Sequence, residues 1–159
     1  MKSIKRIAIS TGGGDAPGLN AVIRAAVIAA LERGWECFGI RDGYNGLLFP
    51  GNYPGGGLVP LGRESVRGIT HLGGTILGTT NRGHPFHLPV TDADGKITTV
   101  DRSDDLVAAF NEHKLDALIA IGGDGSMAIA HRLTEKGMRI VGVPKTIDND
   151  LNGTQVTFG

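Results

Sequence analysis

The chain has 159 residues, 16 basic and 16 acidic side chains, a formal net charge of zero, 40% hydrophobic residues and 20% charged ones. That balance fits one globular domain with a real core, and it excludes a strongly basic nucleic-acid binder, an acidic tail protein and a disordered chain. A single cysteine, Cys37, excludes an internal disulfide and cysteine-based zinc spacing. No apolar run approaches the ~18 residues of a membrane span, and the first ten residues do not suit a signal peptide, so a cytoplasmic protein is expected. Glycine is the outlier: 26 residues, more than twice the ~7% usual in proteins, without collagen-like periodicity.

Residues 5–10 predict a short strand that ends at Thr11-Gly12-Gly13-Gly14. Pro17 suits a helix start, residues 19–31 are almost wholly apolar or small, and Gly34 is a stop signal. Residues 35–40 predict a second strand, which completes a βαβ unit. Residues 42–100 are turn-rich, with a short helix expected at 63–69 and a hairpin joining 88–91 to 96–100. A helix is predicted from an N-cap at Ser103 to His113, a strand at 115–121, a helix at 127–136 and a strand at 138–143. Two βαβ units flanking a loop-rich insert predict an open, doubly wound, mostly parallel α/β sheet with helices on both faces, of Rossmann-like type.

Parallel strands deliver their C-terminal loops to one edge, where such sheets bind ligands. Three of those loops have unusual composition. Gly12-Gly13-Gly14-Asp15 lets backbone N–H groups approach an anion at a helix start, although tight strand–helix packing also uses such turns. A dinucleotide fingerprint from Gly12 would need glycine at Pro17, which leaves Asp42 as a ribose acid with little support, and no Walker A lysine is present. Gly122-Gly123-Asp124-Gly125-Ser126 adds a carboxylate to a second glycine turn. Asp124 is either a helix N-cap or a holder of Mg²⁺, which takes few protein carboxylates and fills its shell with phosphate oxygens and water. Lys145-Thr146-Ile147-Asp148-Asn149-Asp150 follows a buried strand. If the loop is extended, Asp148 and Asp150 face one side, and a carboxylate pair beside a phosphate site suits a base that accepts a hydroxyl proton during phosphoryl transfer. His84 and His87 lie three apart in a proline-flanked loop, where that spacing is weak metal evidence, and Cys37 reads as a packed thiol. Arg24 on an apolar helix and Arg82 after the Gly73–Gly78 stretch are free to reach a ligand.

Four stretches carry a resemblance: TGGGDAPGLNAVIR (11–24), GGTILGTTNRGHPF (73–86), IGGDGSMAIA (121–130) and VPKTIDNDLNGT (143–154). In order and spacing they resemble the N-terminal half of the 6-phosphofructokinases, across essentially the whole chain. The resemblance implies transfer of the ATP γ-phosphoryl group to the 1-hydroxyl of fructose 6-phosphate, with Mg²⁺, in glycolysis. It also implies that Asp148 is the general base, that Thr146 and Asp150 help hold the sugar and the metal–phosphate assembly, and that Asp124 is the magnesium-associated acid. Gly14, Arg82, Gly123, Asp124, Gly125 and Ser126 match nucleotide-phosphate contacts. The implied partners are fructose 6-phosphate and ATP, without nucleic acid or membrane, in a homo-oligomer (tetramer or dimer) at full length.

Family members that use pyrophosphate carry an acid where Gly125 stands and a lysine where Lys145 stands. Gly125 leaves the room a nucleotide needs, so ATP is favoured, while Lys145 keeps pyrophosphate as the alternative donor. Arg24 matches one arginine of the bacterial allosteric site, but Ile28 replaces a second, so effector control through that site is not expected. The family continues into a second α/β domain that closes the cleft and supplies arginines for the sugar phosphate. Residues 1–159 are accordingly expected to form the nucleotide-binding domain, with an insert at about 42–100 and the sugar-phosphate domain outside this chain. Such a portion is expected to be a weak catalyst alone, because positioning dominates phosphoryl transfer. The rivals are a lipid or NAD kinase, which shares a GGDG loop but not TIDND, and a non-catalytic nucleotide-binding module.

Overall fold

The computed structural model describes residues 3–81 and 83–159. β1 (Arg6–Thr11) runs into α1 (Leu19–Glu32) and returns as β2 (Glu36–Ile40), which pairs parallel to β1. β6 (Ala117–Gly122) pairs parallel with the other side of β1, then runs through α4 (Asp124–Glu135) into β7 (Ile140–Pro144), again parallel. The chain therefore leaves the adjacent strands β1 and β6 in opposite directions, which makes the gap between their ends the topological switch point of the sheet.

Alternation along β1 explains the two-faced packing. Ile7 and Ile9 pack with Leu19, Ile23 and Val27 of α1, while Ala8 packs on the opposite side with Leu133 of α4. That second side also holds Leu106 and Phe110 of α3 (Ser103–Glu112). Both faces are covered, as the doubly wound reading requires. Cys37 lies inside the first layer, where burial pushes its thiol up to about 12 and leaves it a packing group.

Several local expectations are corrected. α1 starts two residues after Pro17, with Gly18 as its N-cap. α4 starts at Asp124 rather than at 127, and Gly123 is its N-cap, so Asp124 does not cap the helix. Ser103 is likewise not a cap: Asp101 accepts its backbone N–H at 2.8 Å and its hydroxyl at 2.6 Å, which holds the Asp101 carboxyl below its usual range. Residues 63–68 form turns instead of a helix.

The insert contributes more to the sheet than its turn-rich sequence suggests. α2 (Asn45–Leu48) and a short 3₁₀ turn (Pro50–Asn52) lead to β3 (Leu58–Pro60), which adds an antiparallel edge beside β2. Gly46 and Gly57 permit that turn, because a Cβ on Gly46 would lie 2.2 Å from the Gly57 carbonyl oxygen. The expected hairpin is present as β4 (Leu88–Thr91) and β5 (Ile97–Val100), paired outside the main sheet.

Candidate functional site

A cleft of about 520 Å³ opens at the switch point. The β1 loop supplies Gly12, Gly13, Gly14 and Asp15, the β6 loop supplies Gly123, Gly125 and Ser126, and the chain after β7 supplies Lys145, Thr146 and Ile147. The two glycine loops are in direct contact. The Gly12 N–H donates to the Ile121 carbonyl at 2.9 Å, and the Lys145 N–H donates to the Gly122 carbonyl at 2.9 Å.

Ser126 sits under this junction, which explains why side chains are missing above it. A Cβ on Gly122 would lie 2.5 Å from Ser126 Cβ, 2.4 Å from its Oγ and 3.0 Å from the Gly12 carbonyl oxygen. A Cβ on Gly12 would crowd the Ser126 Oγ, at 2.7 Å, while meeting its Cβ at an ordinary contact distance of 3.5 Å. The hydroxyl can rotate away, whereas Cβ and backbone cannot. Gly122→Ala is therefore expected to cost about 1–3 kcal/mol of stability, and Gly12→Ala distinctly less, in urea unfolding of the two variants. Equal losses, or the reverse order, would contradict this packing.

Of the residues singled out from sequence, Gly14, Gly123, Gly125, Ser126, Lys145 and Thr146 line the cleft, whereas Asp124, Asp148 and Asp150 are exposed and outside its lining. Arg82 lies outside the described residues. Asp124 is the first residue of α4, where the helix dipole favours a negative group, and no hydrogen bond from the described residues occupies its carboxylate. No group of three or more His, Cys, Asp or Glu side chains is placed to hold a metal among the described residues. One free carboxylate beside glycine turns nonetheless fits Mg²⁺, whose remaining ligands would come from phosphate and water.

The Thr146 hydroxyl donates to Asp150 Oδ1 at 2.9 Å and accepts the Asp148 N–H at 3.2 Å, so one side chain that lines the cleft ties down both aspartates beside it. The loop is not extended, because Asn149 between them has φ 51°. Lys145 is 6% exposed, its Nζ donates to the Gly14 carbonyl, and among the described residues no carboxylate pairs with it. A buried ammonium bonded only to a carbonyl is a standing attraction for an anion.

The far wall was not legible in the glycine motifs. Tyr44 belongs to it because β2 delivers its C-terminal end to the same edge, where the sequence pointed to Asp42 instead. Thr80, Asn81 and His84 belong to it because a loop more than fifty residues away is tied down there. Asn20 accepts the Ile76 N–H at 2.9 Å and donates to the Leu72 carbonyl at 3.1 Å, and Thr11 donates to the Gly78 carbonyl at 2.7 Å. His84 and Asn45 flank Gly83, and among the described residues His84 Nδ1 and Asn45 Oδ1 are buried without a partner. Burial, with His87 and Arg132 nearby, holds the His84 pKa below its ordinary value. Asp42 is not among the residues lining the cleft: Tyr53 donates to its carboxylate at 3.0 Å, and the Tyr53 hydroxyl is itself pushed up to about 12 by burial and by that bond.

The family model for phosphofructokinase matches residues 6–159. The chain belongs to the phosphofructokinase family. It is 49% identical, over its whole length, to ATP-dependent 6-phosphofructokinase 2 of Clostridium perfringens, and it covers 42% of that protein. It is 44% identical to the pyrophosphate–fructose 6-phosphate 1-phosphotransferase of Amycolatopsis mediterranei, with 97% of this chain and 40% of that protein covered. The crystal structure of Pichia pastoris phosphofructokinase in the T-state superposes with a TM-score of 0.81 at 31% identity, covering 100% of this chain and 17% of that one. The chain thus spans about two-fifths of the length of the curated relatives it matches. Among its described residues, no helix is long and apolar enough to cross a membrane.

Proposed function

We propose that residues 1–159 are the nucleotide-binding domain of a 6-phosphofructokinase, and that the protein transfers the γ-phosphoryl group of ATP to the 1-hydroxyl of fructose 6-phosphate in cytoplasmic glycolysis. The sugar-phosphate domain lies outside these residues, and the working protein is a homo-oligomer. The observation that carries the reading is the meeting, at one cleft, of two glycine turns and the first residues of the chain after β7, Lys145, Thr146 and Ile147, with Thr146 bonded to Asp150 just outside it.

In this reading Gly14, Gly123 and Ser126 line the path of the donor phosphates, with Arg82 as a further contact and Lys145 as fixed positive charge beneath. Asp124 holds Mg²⁺, which when bound screens the phosphate charge and draws electron density from the transferring group. Asp148 accepts the proton of the sugar 1-hydroxyl as that oxygen attacks, and no donor among the described residues occupies its carboxylate. Thr146 sets the loop by bonding the Asp148 N–H and the Asp150 carboxylate, and Thr146 and Asp148 meet the sugar.

Two observations bear on the donor. A Cβ on Gly125 would meet nothing within 4 Å, so the absence of a side chain there leaves the cleft open, and the wall at Tyr44 and His84 extends beyond the phosphate loops. Both features support a nucleotide. The buried ammonium of Lys145 supports pyrophosphate as the second reading. Calorimetric titration of Mg·ATP and Mg·pyrophosphate into the protein tests the donor reading. Tighter binding of Mg·ATP supports it, and binding of neither removes it.

A further inference from the structure

Asn149 stands between the two aspartates in the left-handed region, which asparagine tolerates better than most residues. Its side chain reaches across to the segment that follows. Oδ1 accepts the Thr157 N–H at 2.9 Å, and Nδ2 donates to the Gln155 carbonyl at 3.2 Å. The Thr157 hydroxyl is shared between the Thr146 carbonyl, at 3.2 Å, and Asn149 Oδ1, at 3.3 Å. One residue further, the Phe158 carbonyl accepts the Thr146 N–H at 3.1 Å. The Phe158 ring rests on Gly18, where a Cβ would come within 3.0 Å of it. Residues 145–158 therefore form a closed loop, anchored on the N-cap of the helix that follows the first glycine turn.

The Asp148 carboxylate has no hydrogen-bond partner among the described residues, so nothing grips the side chain itself. Its location is set by the backbone on either side. Thr146 holds the backbone before it, and Asn149 holds the backbone after it. We propose that Asn149 is a positioning residue for Asp148: its clamp on Gln155 and Thr157 fixes the left-handed turn that presents the carboxylate. The proposal rests on the reading of Asp148 as the proton acceptor. The hydrogen bonds of the clamp are exposed, so they weigh little in global stability and much in the geometry of this loop.

The test uses the protein at its natural length, assayed with fructose 6-phosphate and Mg·ATP. Asn149→Gly keeps the left-handed backbone and removes the clamp. It is expected to lower kcat about tenfold to a hundredfold, the scale on which a small misplacement of a reacting group acts, with the KM for ATP and the melting temperature little changed. Thr157→Val removes the shared hydroxyl from the other side of the clamp and is expected to lower kcat in the same direction by less, while Thr157→Ser restores it. This second pair stands independently if Asn149→Gly fails to fold. Wild-type kcat in both Asn149→Gly and Thr157→Val overturns the proposal. An Asp148→Asn protein that keeps its turnover overturns the reading of the base instead.

Discussion

Replacing Asp148 with asparagine in the protein at its natural length is expected to cut turnover about a thousandfold, within the range that a positioned general base contributes. Binding of Mg·ATP should be unchanged. Asparagine keeps the size of the side chain and the backbone N–H that bonds Thr146 Oγ1, so the loop persists. What it loses is the ability to take a proton, which matters only in the transition state. The signature is therefore a fall in kcat with donor affinity intact, read from steady-state kinetics alongside calorimetry. A loss confined to KM would place Asp148 in substrate binding rather than in proton transfer.

Gly125→Asp is the second large effect, and it discriminates between donors. Gly125 is the second residue of α4, is exposed, lines the cleft, and has open space where a Cβ would project. On the proposed reading, a carboxylate there would stand beside the donor phosphates in the cleft that Tyr44 also lines. Two like charges ~4 Å apart at an effective dielectric constant near 20 repel by about 4 kcal/mol, and solvent screening at an exposed position reduces this, so weakening of Mg·ATP by about a hundredfold is expected. Pyrophosphate has no nucleoside to obstruct, so its affinity should fall less and the ATP-to-pyrophosphate preference should shift toward pyrophosphate. Stability should hold, because an acid in the first turn of a helix suits the dipole. Unchanged Mg·ATP affinity would show that Gly125 does not face the donor.

The parts of this fold that local chemistry dictates are legible in the sequence. Uninterrupted apolar runs ending in glycine turns mark β1 and β6, and the strand-end rule brings Gly14, Gly123, Ser126 and Thr146 to one cleft. The illegible parts depend on distant partners. β3 is three residues long and ends in proline, so only its pairing with β2 makes it a strand. Residues 63–68 have helix-compatible composition, but Ser65 Oγ donates to the Gly62 carbonyl and accepts the Gly62 N–H, both at 2.8 Å, which favours a local turn. The wall at Asn81 and His84 is placed by hydrogen bonds between residues 52 to 67 positions apart, which no local pattern encodes. The two aspartates share a loop as expected, but through Thr146 and a left-handed Asn149 rather than along extended chain.

The measurement that tests the central claim most directly is transfer of labelled phosphate from γ-labelled ATP to fructose 6-phosphate by the protein at its natural length. Transfer to the 1-oxygen that depends on Mg²⁺, runs faster with ATP than with pyrophosphate and is lost in Asp148→Asn is the predicted result. Tight Mg·ATP binding with no transfer to the sugar would instead make this cleft a nucleotide-binding module, and faster transfer from pyrophosphate would reverse the assignment of the donor.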